Sequence, residues 1–301
     1  MSSPGAAPLA ESHRLPSLDV LRGVALFGIL LMNITGFGLP FAYFDPTNSG
    51  GATGANLQAW IITNVFFEGT QRGLFSLLFG ASALALMLRR EATDAADIHY
   101  RRMILLAAFG LIHSYLLLWR GEVLFYYGVV GMFLFPLRHL AARTLLMAAT
   151  AAVLINVAWS QGERLAALGK YEKYLAAKTE ADAAAWKEFV AERKPGQEKI
   201  RREIDAHHTG YFAQVAHQAP GNAAHGSWGV YRYFFDVLGM MLTGMALLRN
   251  GVLTLEQPSR VYWGMVLGGY AVGLGVNIWE TRTILDSGFS VRAFIDTDVT
   301  Y

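Results

Sequence analysis

Two apolar runs separated by a short polar turn, within residues 103–137, constrain this chain more than any other feature. The runs cover residues 103–119 and 123–137, and Arg120, Gly121 and Glu122 lie between them. At a rise of ~1.5 Å per residue, each run is just long enough to cross a bilayer core of ~30 Å. The sequence therefore predicts a transmembrane helical hairpin with a very short connecting loop.

The composition also indicates an integral membrane protein. The 301 residues are 53% hydrophobic and 16% charged, whereas about a quarter of the residues of a soluble domain are charged. We therefore predict an all-α fold, a polytopic transmembrane helical bundle that has the lipid bilayer as its main partner. The absence of cysteine excludes disulfides and thiolate chemistry, and the net charge of +2 is too small to indicate nucleic acid as a partner.

Further apolar segments predict about seven spans in this chain. They are residues 18–39, 73–88, 103–119, 123–137, 145–160, 230–248 and 261–279. Residues 161–228 break this pattern, because they contain ten lysines and arginines and nine acidic residues, with apolar residues at roughly helical spacing. We predict that this insert forms two amphipathic helices outside the membrane core.

The predicted spans and the insert divide the chain into four regions. These are a flexible tail at 1–17, a membrane bundle of five spans at 18–160, the extramembrane helical insert at 161–228, and the start of a C-terminal membrane region with two spans at 229–301. Arginines are concentrated in the loops 89–102, 138–144 and 249–260, whereas the loop 40–56 contains no lysine or arginine. The positive-inside rule therefore predicts a cytoplasmic N-terminus.

His113, inside the first run of the hairpin, is the strongest candidate for a catalytic group. An ionisable side chain within a span costs about 2.5–3.5 kcal/mol on insertion scales, so we expect it to face protein or water. Histidine is the usual proton acceptor in group-transfer chemistry, and Glu122 would orient it if the hairpin brings the two together. The structural alternative is a histidine that hydrogen-bonds a neighbouring helix.

Charged residues at the predicted outer boundary form a second candidate group. Glu68 and Arg72 are four positions apart, and Arg120 and Glu122 share the turn of the hairpin. These pairs would bind a polar acceptor at the outer mouth of the bundle, or they would only pair and extend to the interface, as charged side chains do near helix ends. Asp236, inside the sixth span, would either help to bind a substrate or pair with an arginine.

Four arginines surround the predicted inner loop after the second span. They are Arg89, Arg90, Arg101 and Arg102. They would attract an anionic cytosolic ligand, such as the phosphate tail of a nucleotide, or serve only as topology determinants. At the same face, Asp19 and Arg22 are predicted to form an ion pair at i, i+3. The histidines of the insert lack the spacing of metal ligands, so we predict no metal site.

Several motifs in residues 14–137 resemble one family of membrane proteins. Residues 18–25, LDVLRGVA, resemble the LDxLRGxA opening of membrane-bound acyltransferase-like proteins. Residues 75–80 (FSLLFG), the pair 101–102 (RR) followed by 110–113 (GLIH), and 121–124 (GEVL) followed by Tyr127 resemble elements of one branch of them. This branch is the YeiB-like proteins, also called domain of unknown function 418. Its pattern usually has aspartate where this chain has Glu122.

The resemblance implies an activity and a set of roles. Relatives in the wider superfamily are similar to enzymes that move an acyl group from cytosolic acyl-CoA to an extracytoplasmic acceptor, often a sugar. It therefore implies an acyltransferase-like protein of the bacterial inner membrane, with acyl-CoA as co-substrate and no tightly bound cofactor. The inner arginines would draw CoA to the inner face, His113 would deprotonate the acceptor, and Arg120 or Arg72 would stabilise charge.

The resemblance also bears on the extent of the chain. Asp19, Arg22, His113 and Glu122 fall on motif positions of the family. YeiB-like proteins typically continue with several more spans after the point where this sequence stops. We therefore expect the C-terminal region of the family to be largely missing from this sequence.

Two other classes of function are consistent with the same residues. In a proton-coupled transporter or permease, His113, Asp236 and Glu122 would form a proton relay. Such transporters often contain inverted repeats, and none is evident in this sequence. In a non-catalytic membrane scaffold, the insert would be the interaction module and His113→Ala would leave function intact.

Overall fold

The fold is entirely helical in the part of the chain that can be described. The computed structural model describes residues 16–89 and 94–297, and these ranges contain α-helices and short 3-10 turns but no strand. The helices are α1 (Pro16–Asn33), α2 (Gly54–Phe66), α3 (Thr70–Arg89), α4 (Ala95–Tyr115), α5 (Leu124–Gly131), α6 (Leu134–Leu137), α7 (Ala142–Leu175), α8 (Glu180–Arg193), α9 (Gln197–His208), α10 (Tyr211–Arg249), α11 (Ser259–Asp286) and α12 (Val291–Thr297). The predicted all-α class is confirmed.

Four segments among the described residues are long and apolar enough to cross a membrane. They are Pro16–Phe37, Gly54–Arg89, Ala142–Leu175 and Ser259–Asp286. By length and composition these four segments are candidate membrane spans, and the predicted number of seven spans is not confirmed. The other three predicted spans correspond to α4, to α5 with α6, and to the second half of α10.

Several helix boundaries differ from the predicted ones for local reasons. The first apolar run is predicted to extend to residue 39. Helix α1 instead ends at Asn33, and a 3-10 turn follows it. The run 123–137 breaks between Gly131 and Leu134. Pro136 explains this break, because its ring would clash with the carbonyl of Met132 in a continuous helix.

The insert 161–228 is built differently from the predicted pair of separate helices. It does contain two, α8 and α9, but α7 continues through residue 160 to Leu175 and α10 begins at Tyr211. The sequence of 161–175 is rich in alanine, leucine, glutamate and lysine, which favour helix. Helices α7 and α10 therefore extend from the bundle into the insert, where Ala167 and Trp186 form a small core with Val291 and Ile295 of α12.

Helix α10 lies at the centre of the bundle and packs against α3, α5 and α7. The main core includes Leu84, Tyr127, Leu145, Met241 and Met245, all buried. Helix α11 is different, because it packs mainly on α2 and leaves most of its apolar surface exposed.

Glycines allow α3 and α10 to approach at backbone distance. A Cβ atom at Gly80 would overlap the carbonyl group of Met241, and a Cβ atom at Gly244 would overlap the carbonyl oxygen of Leu77. Close packing on small residues is a common way to join helices in membranes, where apolar side chains gain little by leaving lipid. The two glycines therefore set the distance between the two central helices.

We expect Gly244→Ala to destabilise the bundle by about 1–3 kcal/mol, the usual cost of overpacking. The added methyl group meets a backbone carbonyl, which cannot move without separating α3 from α10. The free energy of unfolding in detergent micelles measures the effect. Gly264→Ala on α11 is the matched control, because nothing lies within 4 Å of its Cβ position. Equal stability of the two variants would contradict the assigned role of Gly244.

Candidate functional site

The hairpin brings the predicted pair His113 and Glu122 into direct contact. Helices α4 and α5 run antiparallel, with Gly110 against Phe125 and Gly128 against Ala107. His113, in the last turn of α4, hydrogen-bonds through Nδ1 to a carboxylate oxygen of Glu122. The same carboxylate accepts the backbone N–H groups of Leu124 and Phe125. Glu122 therefore fixes the ring of His113 and also caps the first turn of α5.

The two side chains of this pair differ in exposure. The side chain of Glu122 is 6% exposed and that of His113 is 37% exposed. With Nδ1–H donating to the carboxylate, a neutral ring keeps a lone pair on Nε2, and Nε2 makes no hydrogen bond to any described residue. The arrangement is therefore a carboxylate-oriented imidazole with one accessible basic nitrogen, which suits general-base chemistry.

Aromatic residues surround this pair at the predicted outer end of the bundle. Trp119 packs beside His113 with ring centroids 6.5 Å apart, and beside Phe37 at 4.8 Å. The guanidinium of Arg120 lies 4.6 Å from the ring centroid of Phe41. Arg120 is thus directed toward the segment after α1, while Glu122 of the same turn binds His113.

The first half of α10 covers the end of the hairpin, which the sequence did not indicate. Asn222 donates a hydrogen bond to the carbonyl oxygen of Ser114 at 2.7 Å. Tyr126 donates to the carbonyl oxygen of His225 at 3.0 Å, and Tyr211 donates to that of Leu116 at 2.9 Å. These contacts link residues 95 to 108 positions apart, so no local pattern could reveal them.

Arg72 and Asp236 form an ion pair between α3 and α10. Glu68 does not share a continuous helix with Arg72, because α2 ends at Phe66 and Gly69 has φ of +68°. Ser76, one turn further along α3, shares a 2.6 Å hydrogen bond with the buried hydroxyl of Tyr127. Arg72, Asp236, Ser76 and Tyr127 together form a polar cluster inside the bundle, which we call the central polar cluster.

A cavity of about 250 Å³ lies at the predicted inner end of the bundle, and we call it the inner cavity. Its lining includes Arg22, Ser82 and Arg102, with Phe75 and Phe79 toward the centre. Arg22 forms the expected ion pair with Asp19, at 3.0 Å, and also donates to the hydroxyl of Ser82. Two guanidinium groups therefore face one small cavity at this end.

Of the inner-loop arginines among the described residues, Arg102 lines the inner cavity and Arg89 and Arg101 do not. Arg101 and Arg102 are both exposed, and Arg101 pairs with Asp97 at 2.8 Å. Arg89 is the last residue of α3, and Arg90 lies outside the described residues. Among residues 16–89 and 94–297, no group of three or more histidine, cysteine or acidic side chains is arranged to hold a metal ion.

Comparison with known proteins finds relatives by sequence. The chain is 30% identical over 269 residues to a protein of Escherichia coli (strain K12) called YeiB, across 88% of this chain and 64% of that protein. It is 32% identical over 155 residues to YxaH of Bacillus subtilis (strain 168), across 49% of this chain and 38% of the relative. The chain thus spans less than two thirds of the length of these relatives, whose names describe no activity. No family model and no solved structure matches it significantly.

Proposed function

From its relationship to the YeiB-like proteins, which the alignments with YeiB and YxaH confirm, we propose that this chain takes part in acyl transfer across a membrane. The acyl group would come from cytosolic acyl-CoA and pass to an extracytoplasmic acceptor. The observation that carries the proposal is the His113–Glu122 pair, with its buried carboxylate and accessible imidazole nitrogen. We place the protein in the bacterial inner membrane with its N-terminus in the cytoplasm.

In this reaction, Nε2 of His113 accepts the proton of the acceptor hydroxyl as its oxygen attacks the thioester carbonyl. A carbon–oxygen bond forms, the carbon–sulfur bond breaks, and the CoA thiolate leaves with the proton that His113 gives back. The products are an acyl ester and CoA thiol, so atoms and charge balance. Glu122 stabilises the imidazolium that forms in between, since a buried carboxylate at Nδ1 favours the charged ring. The two backbone N–H groups of α5 also hold the carboxylate of Glu122 in position beside the ring.

The inner cavity is the proposed entry site for the anionic part of acyl-CoA. Arg22 and Arg102 would bind phosphate groups, because guanidinium matches phosphate geometry. Met103, which lines this cavity, precedes His113 by ten residues of α4, or ~15 Å along the axis. The flexible arm of acyl-CoA would have to bring the thioester over this distance. Arg120 remains the candidate for stabilising charge at the acceptor, since Arg72 is already paired with Asp236.

The proposal predicts that purified protein in proteoliposomes transfers label from external acyl-CoA to a lumenal acceptor. We expect Arg102→Gln to raise the KM for acyl-CoA by about tenfold or more, since a hydrogen bond to a charged group is worth ~1.5–3 kcal/mol. Arg101→Gln is the matched control, because it removes the same charge from the neighbouring position and Arg101 does not line the inner cavity.

The outcomes of this experiment separate the two parts of the proposal. Equal KM values for the two variants would contradict the assignment of the inner cavity as the CoA site. The proposed acyl-transfer activity would still stand. No transfer by the wild-type protein to a panel of hydroxyl and amine acceptors would contradict the function itself.

A second candidate function is proton-coupled transport, and the central polar cluster favours it. Ionisable residues inside a membrane bundle often mark proton or substrate pathways, and the pair Arg72–Asp236 lies on the two central helices beside Ser76 and Tyr127. This function predicts substrate flux that depends on a pH gradient, requires no acyl-CoA and is abolished by Asp236→Asn. The third hypothesis, a non-catalytic membrane scaffold, predicts neither acyl transfer nor transport.

A further inference from the structure

An open cleft of about 760 Å³ lies at the predicted outer end of the bundle, and we call it the outer cleft. It is bordered by the end of α1, the segment after it, α2, the turn after α8, and the α11–α12 region. Neither His113 nor Glu122 is among its lining residues. Its volume falls in the range of ~300–1,000 Å³ typical of small-molecule sites. The outer cleft is therefore separate from the proposed catalytic pair.

One side of the outer cleft is apolar and continuous with a membrane-spanning helix. Leu31 in α1, and Ile34 and Leu39 just after it, line this side. Ile34 and Leu39 are each more than half exposed. Because α1 is a candidate span, these side chains lie where an acyl or alkyl chain could leave the outer leaflet. Trp60 adds an aromatic wall, held by an edge-on contact with Phe289 at 4.9 Å.

The other side of the outer cleft is polar, and its cations are already engaged. Lys194 pairs with Asp45 at 3.2 Å, and the guanidinium of Arg193 stacks on Phe189, 3.6 Å from the ring centroid. Two more carboxylates, Glu68 and Glu280, line the same cleft. An anionic headgroup would therefore meet three carboxylates and would have to compete for both cations.

Uncharged hydrogen-bonding groups complete the polar side. Asn64 uses its amide N–H to donate to the hydroxyl of Thr281 at 2.9 Å, which leaves its carbonyl oxygen as an acceptor. Thr35, Thr63 and Ser49 also line the cleft. The polar side thus combines uncharged donors and acceptors with two cations and three carboxylates, a nearly balanced charge, which suits a ligand whose groups can both donate and accept.

We infer that the outer cleft binds an amphiphile with an uncharged polyhydroxyl headgroup, its apolar chain along Leu31, Ile34 and Leu39. The hydroxyls of the headgroup donate to the carbonyl oxygen of Asn64 and exchange hydrogen bonds with the hydroxyls of Thr35 and Ser49. This site goes beyond the proposed acyl transfer, and its binding requires neither acyl-CoA nor His113.

The test uses the full chain in phosphatidylcholine nanodiscs and a photoreactive dodecyl glucoside, with labelled peptides mapped by mass spectrometry. We expect labelling in the peptides that contain residues 31–39 and 59–64. Ala59→Trp fills the cleft from an exposed position of α2 and should weaken labelling about tenfold, equivalent to ~1.4 kcal/mol. Gln58→Trp, exposed on the same helix but outside the cleft lining, should leave it unchanged.

Competition with unlabelled amphiphiles tests whether the cleft prefers an uncharged headgroup to a charged one. Dodecyl maltoside should displace the probe, while dodecyl phosphate and dodecyltrimethylammonium should do so much less well. Equal competition by all three would overturn the inferred headgroup, and so would stronger competition by either charged amphiphile. If the peptides of the cleft were labelled no more strongly than the peptides of the exposed apolar surface of α11, the proposed site would be overturned. Because no acyl-CoA is present, failure here is distinct from failure of the proposed function.

Discussion

Replacing His113 with alanine is expected to lower the rate of acyl transfer by roughly 10²–10⁴-fold, the usual contribution of a positioned general base. The imidazole is the group in the proposed site that can take the acceptor proton, and its Nδ1 side is occupied by Glu122. We expect the KM for acyl-CoA to change little, because His113 is ten residues along α4 from Met103 of the inner cavity. Single-turnover transfer from labelled acyl-CoA in proteoliposomes measures the effect.

Two further variants make this result specific. His208→Ala removes an exposed histidine of α9 and should leave the rate unchanged. Glu122→Gln can still accept the N–H groups of α5 but cannot balance an imidazolium, so we expect a smaller loss of rate without unfolding. A wild-type rate in His113→Ala would remove His113 from the mechanism, although acyl transfer itself would stand.

The largest expected loss of stability comes from Arg232, whose side chain is 4% exposed between α7 and α10. Its guanidinium donates to Glu163 at 2.7 Å, to Asn156 at 2.9 Å and to Ser160 at 2.7 Å. Arg232→Leu would leave the buried side chains of Asn156 and Ser160 without this hydrogen-bond donor. It would also leave the carboxylate of Glu163 without its positively charged partner. The side chain of Glu163 is 39% exposed, so solvent screens its charge. The main cost comes from the two buried acceptors, since each buried polar group left unsatisfied costs about 1–3 kcal/mol, and we expect a loss of that order for each of them.

The free energy of unfolding in detergent micelles would measure this loss. Arg202→Leu is the control, because Arg202 also pairs with a glutamate, Glu198, but its side chain is 76% exposed. Exposed ion pairs contribute only about 0–1 kcal/mol, so this control should remain close to wild type. Arg232→Lys should also be destabilised, since one ammonium cannot reproduce a guanidinium that serves three acceptors. Similar stabilities of Arg232→Leu and Arg202→Leu would contradict the role assigned to Arg232.

Local sequence was sufficient for the features that depend on neighbouring residues. The all-α class follows from hydropathy, because backbone groups in an apolar environment must be satisfied within a helix. The contact of His113 with Glu122 joins residues nine positions apart. A helical hairpin with a short turn brings residues at this separation close together. The pair Asp19–Arg22 follows from helix periodicity in the same way.

The partners of the other polar residues were decided only by the tertiary structure. Arg72 meets Asp236 across 164 positions and Arg22 meets Ser82 across 60, and the outer cleft combines segments from five parts of the chain. Hydropathy tells which residues avoid water, but membrane helices of similar apolar character can pack in many arrangements. Close backbone contacts such as those at Gly80 and Gly244 select one arrangement. The sequence thus determined the helices and the local hairpin pair, while packing determined which polar groups share a site.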